Sequence, residues 1–234
     1  MRKIGLLGGM GPESTLIYYK LIVEGVGDKL GKNCIPPLTI ESINMYEMFD
    51  YCEKGDLDGL TDYFVKLVEN LQSCGCEAAA MTANTAHIVF DRVSARAGIP
   101  MVSIVQTACD EALRRGYQRL GLMGTMVTMQ GAFYREPFER AGIRVVLPTE
   151  EEMQLVSQRI AQELEFGVVK EETVRELCAV IARMKEEEDI DAVILGCTEL
   201  PLALNDTVSP VPCLDTLRVH ADALIALITE AEKA

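Results

Sequence analysis

Apolar positions along the chain fall into short runs that end in glycine or a small hydroxyl residue, alternating with longer stretches in which they recur at helical spacing. "KIGLLGG" (3–9) is a run of the first kind. "PESTLIYYKLIVEGV" (12–26) behind it is of the second, with Pro12 suited to the first helical position. "PPLTIESI" (36–43) reads as a second strand, "LDGLTDYFVKLVENLQSCG" (57–75) as a helix stopped by Gly75, and "CEAAAMT" (76–82) as a third strand. "ANTAHIVFDRVSARAG" (83–98) follows as a helix and "PMVSIV" (100–105) as a fourth strand. Strands that alternate with crossover helices predict a parallel, doubly wound sheet.

The pattern then restarts. "ACDEALRRGY" (108–117) reads as a helix, "RLGLMGT" (119–125) as a strand, "QGAFYREPFERAG" (130–142) as a helix and "RVVLP" (144–148) as a strand. Two helical stretches (151–167 and 170–188) precede the strand "DAVILGC" (191–197), the helical turn "TELPLAL" (198–204), the strand "PVPCLD" (210–215) and a closing helix over 216–234. Gly8 and Gly124 are 116 positions apart, Thr82 and Cys197 115, Pro100 and Pro212 112. This nearly constant offset predicts an internal duplication. One α/β half spans 1–100 and is completed by the C-terminal segment 214–234, and the other spans 101–213. Ligands bind beyond the carboxyl ends of parallel strands, so the loops of two such halves are expected to converge on one cleft.

The composition, 49% apolar over 234 residues, suffices for a large buried core. A formal charge of −14 argues against nucleic acid, whose binding leans on basic patches. No apolar run reaches the roughly 18 residues of a membrane helix, and the first residues meet Gly, Pro and Glu too early for a secretory leader, so a cytoplasmic protein is expected. The eight cysteines lack C-x-x-C spacing, and the two histidines, His87 and His220, lie far apart, so no metal site is expected.

Three loops carry candidate chemistry. "GGMGPEST" sets Gly9 and Met10 ahead of a helix N-terminus, a turn suited to a carboxylate or phosphate or serving only as a turn. It falls short of the dinucleotide fingerprint because Ser14 stands at the third glycine and no acid follows at the required distance. In "TANTAH", Asn84 and Thr85 can cap a helix or hold a carboxylate. Cys197 ends an apolar strand ahead of Thr198 and Glu199, where a helix N-terminus lowers a thiol's pKa, and this makes it the candidate nucleophile or base; the alternative is a buried, inert cysteine.

"KIGLLGGMGPEST", "NTAH", "GLMGT..T", "GCTELP" and "VPCLD", in this order, resemble the aspartate/glutamate racemase family over essentially the whole chain. The resemblance implies two pseudo-symmetric α/β domains, an active site in the cleft between them, no cofactor, and a homodimer acting on an amino acid. It also implies two thiols that exchange the α-proton from opposite faces. Cys197 matches the second thiol, facing the α-hydrogen of the L-enantiomer, and Thr82 is read at the place of the first. A threonine hydroxyl is a poor base but can donate a proton, which points to an enzyme favouring the L-form. His87 is a possible proton relay or a packed side chain. Asn84, Thr85, Thr125, Thr128 and Thr198 match positions that hold the substrate's α-carboxylate or line the site, and Lys170 matches a lysine for the distal carboxylate. The alternatives are an impaired binding protein and a single-cysteine decarboxylase or isomerase of small diacids.

Overall fold

The structure, a computed structural model, describes residues 1–230. The last four residues of the helix expected over 216–234 lie outside the described residues. The chain divides into two compact units, one made of Met1–Ile104 and the segment beginning at His220, the other of Val105–Val219.

The first unit runs β1 (Ile4–Gly8), α1 (Pro12–Leu30), β2 (Leu38–Ser42), α2 (Met45–Lys54), α3 (Leu57–Ser73) and β3 (Ala78–Met81). A 3-10 turn (Thr85–Val89) then leads into α4 (Phe90–Arg96) and β4 (Met101–Val102). There follow α5 (Ile104–Arg115), β5 (Arg119–Gly124), α6 (Met126–Gln130), α7 (Ala132–Arg140), β6 (Arg144–Val146), α8 (Glu150–Gln162) and α9 (Glu171–Glu188). β7 (Ala192–Gly196), a 3-10 turn (Leu200–Leu202), β8 (Cys213–Asp215) and α10 (Thr216–Glu230) complete the described chain.

All pairings are parallel, and the strand orders are β2-β1-β3-β4 and β6-β5-β7-β8. The α/β class and the repeated pattern are therefore both present. In each sheet the order reverses direction beside its founding strand, at β1/β3 and at β5/β7. That reversal opens a crevice beyond the carboxyl ends of the strands, so the topology singles out the loops after β1, β3, β5 and β7.

Each sheet is buried by the helices its crossovers supply. Leu60, Phe64, Val68 and Leu71 recur along one face of α3, and all four are fully buried, with Leu71 over Gly5 of β1. Truncation of Leu71 to alanine is expected to destabilise the fold by about 2–5 kcal/mol, read by urea unfolding. In the second unit Tyr134 and Phe138 of α7 and Leu177, Ile181 and Met184 of α9 are fully buried.

Four elements depart from the sequence pattern. α6 was not expected between the strand read over 119–125 and the helix read from 130; Thr125 caps it. α2 was not expected; Asn44 caps it by accepting from the Tyr46 amide at 3.2 Å, and Gly55 ends it in the left-handed region at φ 67°. The strand expected over 100–105 shrinks to Met101–Val102, because Ile104 and Val105 are spent on the first turn of α5. The helix expected from residue 83 begins as the 3-10 turn, with Asn84 already in helical conformation (φ −64°, ψ −44°) rather than the extended conformation of a cap.

Among the described residues no helix is long and apolar enough to cross a membrane, and no group of three or more His, Cys, Asp or Glu side chains is arranged to hold a metal ion.

Candidate active site

β7 delivers Cys197 two residues beyond Leu195, the last pairing residues of that strand being Leu195 and Gly196. The turn is closed by the Leu200 amide donating to the Cys197 carbonyl at 3.1 Å. It folds Glu199 back, so that the Cys197 thiol donates to Glu199 Oε2 at 3.0 Å and the Thr198 hydroxyl donates to the same oxygen, also at 3.0 Å. Cys197 is 6% exposed and Glu199 5%. The other carboxylate oxygen, Glu199 Oε1, is buried and has no hydrogen-bond partner.

This environment corrects the expectation of an acidified thiol. Burial, then the negative charge and hydrogen bond of Glu199, push the Cys197 pKa well above the ordinary thiol range. The helical segment behind it is a single 3-10 turn, too short a dipole to oppose them. Cys197 therefore rests as a protonated thiol hydrogen-bonded to the Glu199 carboxylate. Glu165 adds to the negative character of the site, and its own carboxyl is raised by burial and by the charge of Glu199.

Nearby in the second unit, Thr125 caps α6, accepting from the Thr128 amide at 3.3 Å, with the two hydroxyls 3.1 Å apart. Both threonines are thus brought together at the end of β5. Lys170, 57% exposed at its side chain, meets Glu163 Oε1 at 3.1 Å. Glu163 is held in turn by the Thr173 hydroxyl at 2.5 Å and by Arg159 at 2.8 Å.

The first unit is built differently. Gly9, at φ +81°, sits against the Ile43 backbone with no room for a Cβ. Its amide donates to the Thr15 hydroxyl at 3.0 Å, and that hydroxyl donates to the Gly11 carbonyl at 3.1 Å. Met10 is buried. The glycine turn thus satisfies itself through Thr15 and commits the Gly9 amide that the sequence left open for an anion.

Strand register decides which residue of the first unit answers to Cys197. Leu7 pairs with Met81 in one sheet and Met123 with Leu195 in the other. Counting on from these pairs, Thr82 corresponds to Gly196 and Ala83 to Cys197. The sequence comparison paired Thr82 with Cys197 and was out by one residue. Thr82 is instead a buried structural residue whose amide and hydroxyl both donate to the Leu7 carbonyl at 3.0 Å. Thr82→Val is expected to cost about 1 kcal/mol in unfolding experiments, because the carbonyl keeps its amide partner, and to leave catalysis within about threefold.

Asn84 and Thr85 are buried directly behind Ala83. His87 does not offer a relay. Its Nδ1 donates to the Ala83 carbonyl at 2.9 Å, its Nε2 accepts from the Ile104 amide at 3.1 Å, and its ring stacks on Phe90 at 4.8 Å. With both nitrogens bound to backbone, it fixes the loop. Burial lowers its pKa to about 4, and burial likewise lowers that of His220 to about 3. His220 accepts from the Tyr18 hydroxyl at 2.8 Å and donates to the Val102 carbonyl at 3.1 Å.

Both folded-state values lie below the free imidazole value of about 6.5, so the unfolded chain takes up protons first as pH falls. The stability these histidines contribute is complete above that value and is lost as pH falls from it to about 4 for His87 and to about 3 for His220. Each should add about 1.4 kcal/mol per pH unit to the loss at its steepest. Urea unfolding at pH 7, 6 and 5 should show a smaller slope in His87→Gln and in His220→Gln than in the unaltered protein.

Glu199 and Ala83 are the two positions the sequence reading did not assign. The signal for the first was a carboxylate two residues beyond the candidate thiol, and for the second the pairing register of the strands.

A doubly wound chain that ends a central strand in a buried thiol hydrogen-bonded to a carboxylate has the parts of an enzyme that moves protons. The family model for Asp/Glu/hydantoin racemases matches residues 7–224, and the chain belongs to that family. It is 24% identical over 226 residues to the broad specificity amino-acid racemase RacX of Bacillus subtilis, covering 95% of this chain and 96% of that protein. The crystal structure of an aspartate racemase homologue from Pyrococcus horikoshii is 39% identical, with a TM-score of 0.85 over 98% of this chain and 100% of its own. The aspartate racemase of Picrophilus torridus shares the fold at 19% identity, with a TM-score of 0.81 over 97% of this chain and 94% of its own.

Proposed function

We propose that the protein exchanges the α-proton of an acidic amino acid, aspartate or glutamate, with Cys197 as the base and without pyridoxal phosphate or a metal, and that it favours the L-enantiomer. The observation that carries this reading is the 3.0 Å contact between the Cys197 thiol and the Glu199 carboxylate. Glu199 takes the thiol proton, the thiolate so formed takes the α-proton, and the electron pair left on the α-carbon is delocalised into the α-carboxylate. The hydroxyls of Thr125, Thr128 and Thr198 and the Asn84–Thr85 loop are the groups proposed to hold that carboxylate as its charge grows. Lys170 is proposed for the distal carboxylate, exchanging its Glu163 partner for the substrate. The aspartate racemase homologue at 39% identity supports an acidic side chain.

Ala83 makes the reaction one-sided, because a methyl group can neither take nor return a proton. Protonation from that side must come from water. In deuterium oxide, L-aspartate or L-glutamate is expected to lose its α-proton NMR signal at least about tenfold faster than its optical rotation decays, while the D-forms exchange slowly. Equal rates for the two enantiomers would refute the asymmetry, and no exchange from either would refute the proposed reaction. The enzyme is proposed to work as a cytoplasmic homodimer, the oligomeric state being open to sedimentation.

The same alanine favours one second reading. A lone thiol suffices to protonate a carbanion formed by loss of CO2 from a substituted malonate, and release of CO2 from methylmalonate without α-exchange of the amino acids would select it.

A further inference from the structure

Glu199 is a carboxylate used on one side only. Oε2 receives two donors, the Cys197 thiol and the Thr198 hydroxyl, each at 3.0 Å, while Oε1 is buried without any. Among the described residues Lys170 and Arg159 are engaged by Glu163 and Glu176 instead, and no side chain donates to Glu199 Oε1. A bare carboxylate oxygen in a site this dry is costly unless a donor, preferably a charged one, comes to it. The missing complement is a compact cation with several N–H donors.

We infer that Glu199 Oε1 is the receptor for the substrate's α-ammonium group. The inference rests on the amino-acid reading above and sharpens it, since it makes the ligand an α-amino acid rather than a plain diacid. The geometry gives the receptor its use. The thiol and the ammonium share one carboxylate, and the ammonium nitrogen is bonded to the carbon whose proton is to be removed, so seating the nitrogen on Oε1 brings that carbon beside Sγ. The same contact offsets the negative charge that holds the thiol protonated, so the thiol gains acidity when an ammonium arrives. A diacid without an amino group leaves it dormant.

The test is calorimetric binding of four probes, L-aspartate and L-glutamate against succinate and glutarate, to the unaltered protein and to Glu199→Gln. The unaltered protein should bind each amino acid at least about tenfold more tightly than the diacid of equal length, a difference of about 1.4 kcal/mol. In the near-isosteric Glu199→Gln protein that preference should fall below about threefold, with diacid affinity unchanged within the same margin. Thermal unfolding of the variant shows whether it is folded, and the comparison within the unaltered protein stands without any variant.

Equal binding of amino acids and diacids by the unaltered protein overturns the receptor role, whatever the exchange experiment gives. So does a Glu199→Gln penalty shared by both ligand classes, or failure of all four probes to bind. Loss of the preference in the variant supports the role even where no α-proton exchange is seen, which separates its fate from that of the proposed reaction.

Discussion

Cys197→Ser should reduce α-proton exchange of L-aspartate or L-glutamate by at least about a thousandfold and leave the fold intact. A positioned general base contributes about two to four orders of magnitude. A serine hydroxyl at the same place keeps the hydrogen bond to Glu199 but has no accessible anion near neutral pH. The replacement is nearly isosteric, and Cys197 sits in a loop rather than among the fully buried strand residues that precede it. Its effect on unfolding should therefore stay near 1 kcal/mol. Loss of exchange by NMR with a preserved melting curve is the expected pair of results. Exchange retained to within tenfold would remove Cys197 from the chemistry and turn attention to Glu199 or Glu165 as the base.

Ala83→Cys is the complementary experiment, and it should add activity. It puts a thiol at the position that strand pairing matches to Cys197, so exchange of the D-enantiomers should rise by at least about tenfold. Loss of optical rotation from the L-form should accelerate with it. Thr82→Cys serves as the control. It gives up the hydroxyl bond to Leu7 and points its sulfur into the same structural contact, so it should lose stability and gain no turnover of the D-form. If the control gains activity and Ala83→Cys does not, the correspondence drawn from the two sheets is wrong.

That correspondence shows where reading the chain without coordinates reaches its end. The strand and loop punctuation was legible because glycines and hydroxyl residues stop apolar runs at Gly8, Thr82, Gly124 and Gly196. The duplicated order followed from it. A one-residue uncertainty survives such punctuation, however, and in a sheet one residue changes which side chain stands at a given place. Only the pairs Leu7–Met81 and Met123–Leu195 decide between Thr82 and Ala83. α2 was legible in part: Met45, Met48, Phe49 and Cys52 recur at helical spacing and its ends are marked by Asn44 and Gly55, but it is only ten residues long and only Met48 is buried in full.

The chemistry of Cys197 was half legible. A cysteine at a strand end ahead of a turn marks a candidate nucleophile, but its acidity depends on what folds back on it. The sequence shows a helix start, which favours the thiolate. The coordinates show Glu199 and burial, which oppose it. Likewise a histidine one turn into a helix reads as a relay until both of its nitrogens are found on the backbone.

The segment from His220 onward closes the first unit after the whole of Val105–Val219 has intervened. Tyr18 is left without its imidazole, and Gly25 without the covering Ile225, until that last stretch arrives. During synthesis on the ribosome the half that emerges first is therefore the half that matures last, and a nascent chain must keep β1 to β4 from aggregating while an entire second sheet is translated. Premature termination just ahead of His220 should for this reason damage the sheet of β1 to β4 more than the one encoded next to the lesion.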